Sequence, residues 1–193
     1  MPTPIEQLKA EHRIIEKALN GLSGLCDRLE RGEAVEPAGF DRLLEFLGKF
    51  ADLRHHQKEE KCLFPALGLH GVARDRGPIG VMLQEHCTGR ALIAHMKRAA
   101  TAYENHSPNA AAQFADSARN YVTLLREHIA KEDSVLFRIA EGLLDEHALR
   151  SLQDEFETLE ADLVESHAKY GQLAEEMERE WAIPVTDEGQ SRL

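Results

Sequence analysis

At 193 residues the chain is long enough for one well-buried core, or at most two small ones. It is 42% hydrophobic and 30% charged, ordinary for a soluble globular protein, and its net charge of −11 argues against nucleic acid and anionic membrane surfaces as partners. No apolar run of about 18 residues exists to span a bilayer. Met1-Pro2-Thr3-Pro4 carries no basic region followed by an apolar stretch, and Cys26, Cys62 and Cys87 lack CxxC spacing, so a cytoplasmic protein with free thiols is expected.

The first predicted helix runs from about Pro4 to Arg31, with Ile5, Leu8, His12, Ile15, Leu19, Leu22, Cys26 and Leu29 recurring at steps of three and four. Pro4 suits its first turn and Gly32 its stop. The second runs from about Pro37 to Leu67, with Phe40, Leu44, Leu47, Ala51, His55, Glu59, Leu63 and Ala66 on one face. Pro65 is expected to kink or end it, and Gly68 to Gly77 reads as a connection. The third begins at Pro78 and carries Ile79, Met82, His86, Gly89, Ile93, Met96, Ala100 and Tyr103. Asn105-His106-Ser107-Pro108 breaks it, and Ser107 is expected to cap the fourth helix. That fourth helix places Ala111, Phe114, Ala118, Tyr121, Leu125, His128, Glu132, Val135 and Ile139 on one seam, and Gly142 weakens its end.

A fifth amphipathic stretch, Ala148 to Trp181, carries Leu152, Phe156, Leu159, Leu163, Tyr170, Leu173 and Met177. The polar tail after Pro184 is expected to be disordered. No stretch reads as a strand. The expected fold is all-α: an up-down-up-down four-helix bundle over residues 4–143, a C-terminal helix over 148–181 packed on it, and a tail over 182–193.

A repeat runs through the bundle. His55-His56-Gln57-Lys58-Glu59-Glu60-Lys61-Cys62-Leu63-Phe64 and His128-Ile129-Ala130-Lys131-Glu132-Asp133-Ser134-Val135-Leu136-Phe137 share His, Lys, Glu, Leu and Phe at the same offsets. A Glu-His pair precedes each, Glu11-His12 and Glu85-His86, 43 residues before His55 and 42 before His128 when counted from the histidine. His and Glu four apart lie on one helical face, about 40° offset. Each half thus offers one lone His and one His-x3-Glu pair, and together they form a ligand set for two metal ions with open positions left for a small ligand. His56-Glu60 has the same spacing, but stepping back from His56 meets Asp52 and Lys49, a polar face, so the seam favours His55 over His56.

Leu8-x2-Glu11-His12, His55-His56-x2-Glu59-Glu60-x2-Leu63-Phe64-Pro65, Glu85-His86 and His128-x3-Glu132 together resemble the hemerythrin-like, or HHE cation-binding, family over about residues 5–140. The resemblance implies a non-haem di-iron centre in a four-helix bundle, with His12, His55, Glu59, His86, His128 and Glu132 at ligand positions. Oxygen-carrying members have a further histidine one turn after the third-helix ligand, where this chain has Arg90. The pattern is closer to members with four histidines and two carboxylates, linked to nitric oxide, peroxide and iron–sulfur repair.

The expected cofactor is therefore two iron ions, oxo- or hydroxo-bridged because two carboxylates supply little charge. The expected partner is O2, NO or peroxide, bound for sensing, detoxification or repair, with no nucleic acid, no membrane and a homodimer left open. A di-iron oxidoreductase reducing NO or peroxide, and a metal-storage or partner-binding bundle, are the alternatives. His167 either folds over the bundle, filling the vacancy at Arg90 or standing behind a ligand, or is an exposed helical histidine. Cys62 and Cys87 are redox thiols near iron or ordinary small side chains, and Tyr121 lines a pocket or packs in the core. Arg90 and Asp52 orient ligands or form a surface pair, and His56, Glu60, Glu11, Glu85 and Asp133 are solvated or stand behind ligands.

Overall fold

The computed structural model describes residues 2–161 and 167–182, and these are helical with no strand among them. Helix α1 (Pro4–Glu30) opens on a capping box: the Thr3 hydroxyl accepts from the Glu6 N–H at 3.2 Å and the Glu6 carboxylate accepts from the Thr3 N–H at 2.7 Å. It stops before Gly32, whose φ of 75° suits a residue without Cβ. Helix α2 (Pro37–Phe46) continues directly into a π-helix (Leu47–His56); a π-turn (Glu59–Leu63) then leads into α3 (Phe64–Leu69). Pro65 does not end this rod. It falls in the first turn of α3, directly after the π-turn, and the rod continues through it.

Helix α4 (Gly77–Glu104) is followed by α5 (Ala110–Lys131), a π-turn (Glu132–Leu136) and α6 (Phe137–Leu143). Ser107 does not cap α5. The carbonyl of Ser107 accepts from Ala110 N–H at 3.3 Å in a turn, and Asn109 precedes the helix at φ 63°, a left-handed conformation that Asn tolerates.

The π-turns correct the expected seams. A π-turn bonds i to i+5 instead of i+4, which advances the buried face by one residue. Phe64 N–H bonds the Glu59 carbonyl and Phe137 N–H bonds the Glu132 carbonyl, so the same widened turn begins at the same glutamate in both repeats. Beyond it Val135 is 47% exposed and Leu136 is buried; likewise Ala66 is half-buried and Leu67 is buried.

Side-chain pairs fix the neighbours. Glu60 with His86 and Asp52 with Arg90 pair the 37–69 rod with α4 in opposite directions. His128 with Glu85 and Tyr121 with Gly89 do the same for α5 and α4; Asp133 with His12 and Arg119 with Asp27 do so for α5–α6 and α1. The apolar side chains form two clusters. One holds Ile15, Leu22, Phe40, Phe50, Met96 and Phe114; the other holds Ile5, Leu8, Phe64, Met82, Phe137 and Phe156. The histidines and glutamates of the repeat occupy the level between them.

The expected single C-terminal helix is instead two, α7 (Glu146–Glu160) and α8 (His167–Trp181), with Ala161 in a turn. Leu163 and the tail beyond residue 182 lie outside the described residues. The two helices serve different clusters: Leu152 and Phe156 join the one around Phe64, and Tyr170, Ala174, Met177 and Trp181 the one around Phe40. Contacts of Gln7 with Glu160, Lys17 with Glu175 and Asn20 with Glu178 show this arm following α1 in the same direction. At Gly24 the helices touch, since a Cβ there would stand 1.9 Å from the Trp181 carbonyl oxygen. No helix among the described residues is long and apolar enough to cross a membrane.

Candidate metal centre

All six expected residues, His12, His55, Glu59, His86, His128 and Glu132, are buried and converge. One group comprises His12, His55, Glu59 and Glu132, with donor atoms all within 4.8 Å of one another. A second, equally tight, comprises His56, Glu59, His86 and His128. Glu59 belongs to both: one oxygen lies 3.4 Å from His55 Nε2 and the other 3.5 Å from His86 Nε2. Glu132 Oε2 stands 3.2 Å from both His12 Nε2 and His128 Nε2.

His56 is a correction. The α-helical seam put it on a polar face, yet it is only 4% exposed, and its ring stacks on His86 with centroids 4.0 Å apart. The cause is the π-helix Leu47–His56, whose wider turn changes the facing of residues near its end so that both neighbouring histidines are buried. In the repeat the equivalent position is Ile129, also buried, so the first half carries one imidazole more than the second.

Behind the cluster stands a layer of acids. Each Nδ1 has its own: His12 pairs with Asp133 at 2.8 Å, His55 with Glu11 at 2.9 Å, His86 with Glu60 at 2.7 Å and His128 with Glu85 at 3.0 Å. Asp52 lies 3.5 Å from His56 Nδ1. An acid on Nδ1 fixes the tautomer and turns the Nε2 lone pair inward, the arrangement that metal-ligating histidines need. The four hydrogen bonds tie α1 to the 37–69 rod, that rod to α4, α4 to the α5–α6 rod, and that rod back to α1, forming a closed ring. A layer of cations stands behind the acids in turn: Arg13 on Asp133, Lys58 on Glu11, Lys131 on Glu85, and Arg90 on both Asp52 and Glu60. Arg90 therefore forms an ion pair with the acids that stand behind His86 and His56, so the two expectations for it merge.

The electrostatics follow. Burial pushes His12 down, but the hydrogen bond to Asp133 and the Glu132 carboxylate 3.2 Å from Nε2 outweigh it and raise the imidazole to about 9. Burial likewise opposes His128, which the Glu132 charge and the hydrogen bond to Glu85 raise to about 10. Burial and the neighbouring His86 hold His56 well below its usual range, so it is neutral. Burial would raise Glu132, yet His128 and His12 hold it well below the carboxylate range.

The residues fit a metal. Nε2 of His12, His55 and His56 and both oxygens of Glu59 and Glu132 are buried with no hydrogen-bond partner, a large cost unless a cation takes them. His86 Nε2 and His128 Nε2 face each other at 3.1 Å, while each ring's Nδ1 is engaged by an acid. With both rings neutral and their Nδ1 protons donated to those acids, two lone pairs would point at each other, a conflict that a shared cation removes.

The remaining candidates lie elsewhere. His167 is not in either group; it hydrogen-bonds Glu11, behind His55. Cys62 is buried in the cluster around Phe64, with burial and Glu155 raising its thiol to about 11, and Cys87 is exposed. Tyr121 is buried in the other cluster with no partner for its hydroxyl. Sequence reasoning missed Lys58, which is fully buried on Glu11, although the lysine shared by both repeats was a visible signal.

Imidazoles and carboxylates gathered inside a bundle of helices, with acids fixing the rings, define a class of helical protein with a candidate metal centre in its interior. A family model, the hemerythrin HHE cation binding domain, matches residues 3–140, and the chain belongs to that family. An uncharacterised protein of Mycobacterium bovis and two of Mycobacterium tuberculosis are each 24% identical to it over 170 residues, which is 88% of this chain. The chain spans 64% of the length of these curated relatives. No solved structure matches it.

Proposed function

We propose that this chain is a non-haem di-iron protein that binds a small ligand, O2, NO or peroxide, for sensing, detoxification or repair. The observation that carries the reading is the set of buried, unpartnered nitrogen and carboxylate donors in two overlapping groups. Nitrogen and carboxylate ligands suit iron, manganese or zinc, and family membership favours iron. We read residues 4–143 as an up-down-up-down four-helix bundle, 148–181 as an arm on it, and the protein as cytoplasmic.

His12, His55, Glu59 and Glu132 would hold one ion, and His56, His86, His128 and Glu59 the other. When bound, the ions would supply Lewis-acid and redox chemistry toward the small ligand. The chain's own part is to keep each imidazole in one tautomer through its acid, and to keep water out with the apolar clusters on either side. Thiol-dependent oxidoreduction has less support, because neither Cys62 nor Cys87 joins the donor groups. A partner-binding role for the arm also has less support, since Leu152, Phe156, Tyr170 and Met177 are buried within this chain.

The test is anaerobic loading with ferrous iron, metal analysis, and stopped-flow mixing with O2, NO and peroxide. Two ions per chain and a spectral change with at least one ligand are expected. Spectra unchanged by all three would leave storage or scaffolding.

A further inference from the structure

The arm of α7 and α8 lies beyond the matched family segment, which ends at residue 140. It nevertheless reaches the acid behind one ligand. Glu160, at the end of α7, accepts from Lys58 Nζ at 2.5 Å, and the same ammonium donates to Glu11. Arg54 Nη1 stands 3.2 Å from His167 Nδ1, at the start of α8. A guanidinium only donates, so Nδ1 is the acceptor and the His167 proton is on Nε2. That Nε2–H donates to Glu11 Oε1, and the other oxygen of Glu11 accepts from His55 Nδ1 at 2.9 Å. A continuous chain of bonds thus runs from the arm through Glu11 to a candidate ligand.

The other acids are backed differently. Lys131 on Glu85 is 39% exposed, Arg90 on Glu60 is 37% exposed and Arg13 on Asp133 is 53% exposed, whereas Lys58 and Glu11 are buried. Exposed pairs exchange with water and are screened by salt; a buried pair is screened far less, and separating it strands a charge. Glu11 therefore sits in a buried pair, and Glu160 and His167, 21% and 34% exposed, cap it from the arm.

We infer that Glu160 and His167 are positioning residues for the ion held by His12, His55, Glu59 and Glu132: they latch Glu11 onto His55 and make this ion the slower of the two to leave. The inference rests on the dinuclear reading above.

The test uses the full chain, loaded anaerobically with ferrous iron and challenged with a bidentate ferrous chelator. Two ions should leave in two phases of equal amplitude, and His56→Ala should remove the fast phase. Glu160→Gln combined with His167→Leu should speed the slow phase about tenfold, the usual scale for losing a group behind a metal ligand, with the fast phase unchanged. His167→Gln, which keeps an N–H for Glu11, should restore most of the retention in the Glu160 wild-type background. Phe114→Ala, a buried core change on α5 against Phe40 and outside the bonds of the latch, controls for general destabilisation: it should lower the melting temperature and keep the ratio of the two rates. Single-phase release from the wild type, an unchanged slow phase in the double variant, or equal acceleration of both phases overturns the inference. Fewer than two ions in the wild type, read before chelator is added, overturns the dinuclear reading and this inference with it.

Discussion

The two halves of the bundle are built from one pattern and finished differently. In each, a glutamate on the preceding helix backs the paired histidine, a lysine at the same offset holds that glutamate, and a π-turn opens at the glutamate four residues after the histidine. In the first half the lysine is Lys58, buried and covered by the arm; in the second it is Lys131, 39% exposed. The first half also adds His56 where the second has Ile129. The same chemical unit is therefore held by a buried lysine–glutamate pair on one side and a partly exposed one on the other. Cover, more than ligand identity, separates the two.

The comparison breaks most completely at the glutamates. Glu59→Ala with Glu132→Ala should abolish paired-metal binding, and Glu59→Ala alone should lose more metal than Glu132→Ala alone, because Glu59 belongs to both donor groups. Metal analysis after anaerobic reconstitution decides it; equal losses from the two single variants would restore the symmetry. Next in size is Lys58→Met against Lys131→Met. The first strands the buried Glu11 charge and should cost about 3–5 kcal/mol, while the second removes a partly exposed pair worth about 1 kcal/mol or less. Denaturant melts of the metal-free protein give both numbers.

His56→Ile, which copies the second half into the first, should lower the metal count from two toward one with little loss of fold. A variant that still holds two ions would return His56 to a supporting role. The smallest effect concerns the thiols. Burial and Glu155 raise Cys62 from the usual 9 to about 11. Alkylation at pH 8 should therefore mark Cys87 quickly and Cys62 hardly at all, as peptide mapping would show. Between about 9 and 11 the unfolded thiol ionises while the folded one keeps its proton, so this group's contribution to stability falls as pH rises through that window. Fast labelling of Cys62 in the folded protein would sink the assignment.

The convergence of His12, His55, Glu59, His86, His128 and Glu132 was legible because polar residues that meet inside a bundle must recur at helical spacings on an otherwise apolar face, and these six stand out against leucines and alanines. The π-turns were not legible. Side-chain periodicity reports which face is buried only if the turn is known, and a seam drawn at α-helical spacing places Val135 inward where the structure buries Leu136. The adjacent buried pairs Leu63-Phe64 and Leu136-Phe137, at one offset in both repeats, were the available hint. The arm's destination was hidden for another reason. Nothing in the spacing of Glu160 or His167 says that Lys58 and Glu11, 102 and 156 positions away, will receive them; that is tertiary information, carried by the touching of α8 and α1 at Gly24.

The closed ring of acid–imidazole bonds acts like the hoop of a barrel. Each bond pulls one stave toward the next, and because the circuit returns to α1 no helix can yield without tension on the other three. A hoop of this kind sets the diameter of the barrel before anything is put inside it. The interior is gauged by the protein, so an ion of unsuitable size would meet a frame that resists widening or shrinking to suit it.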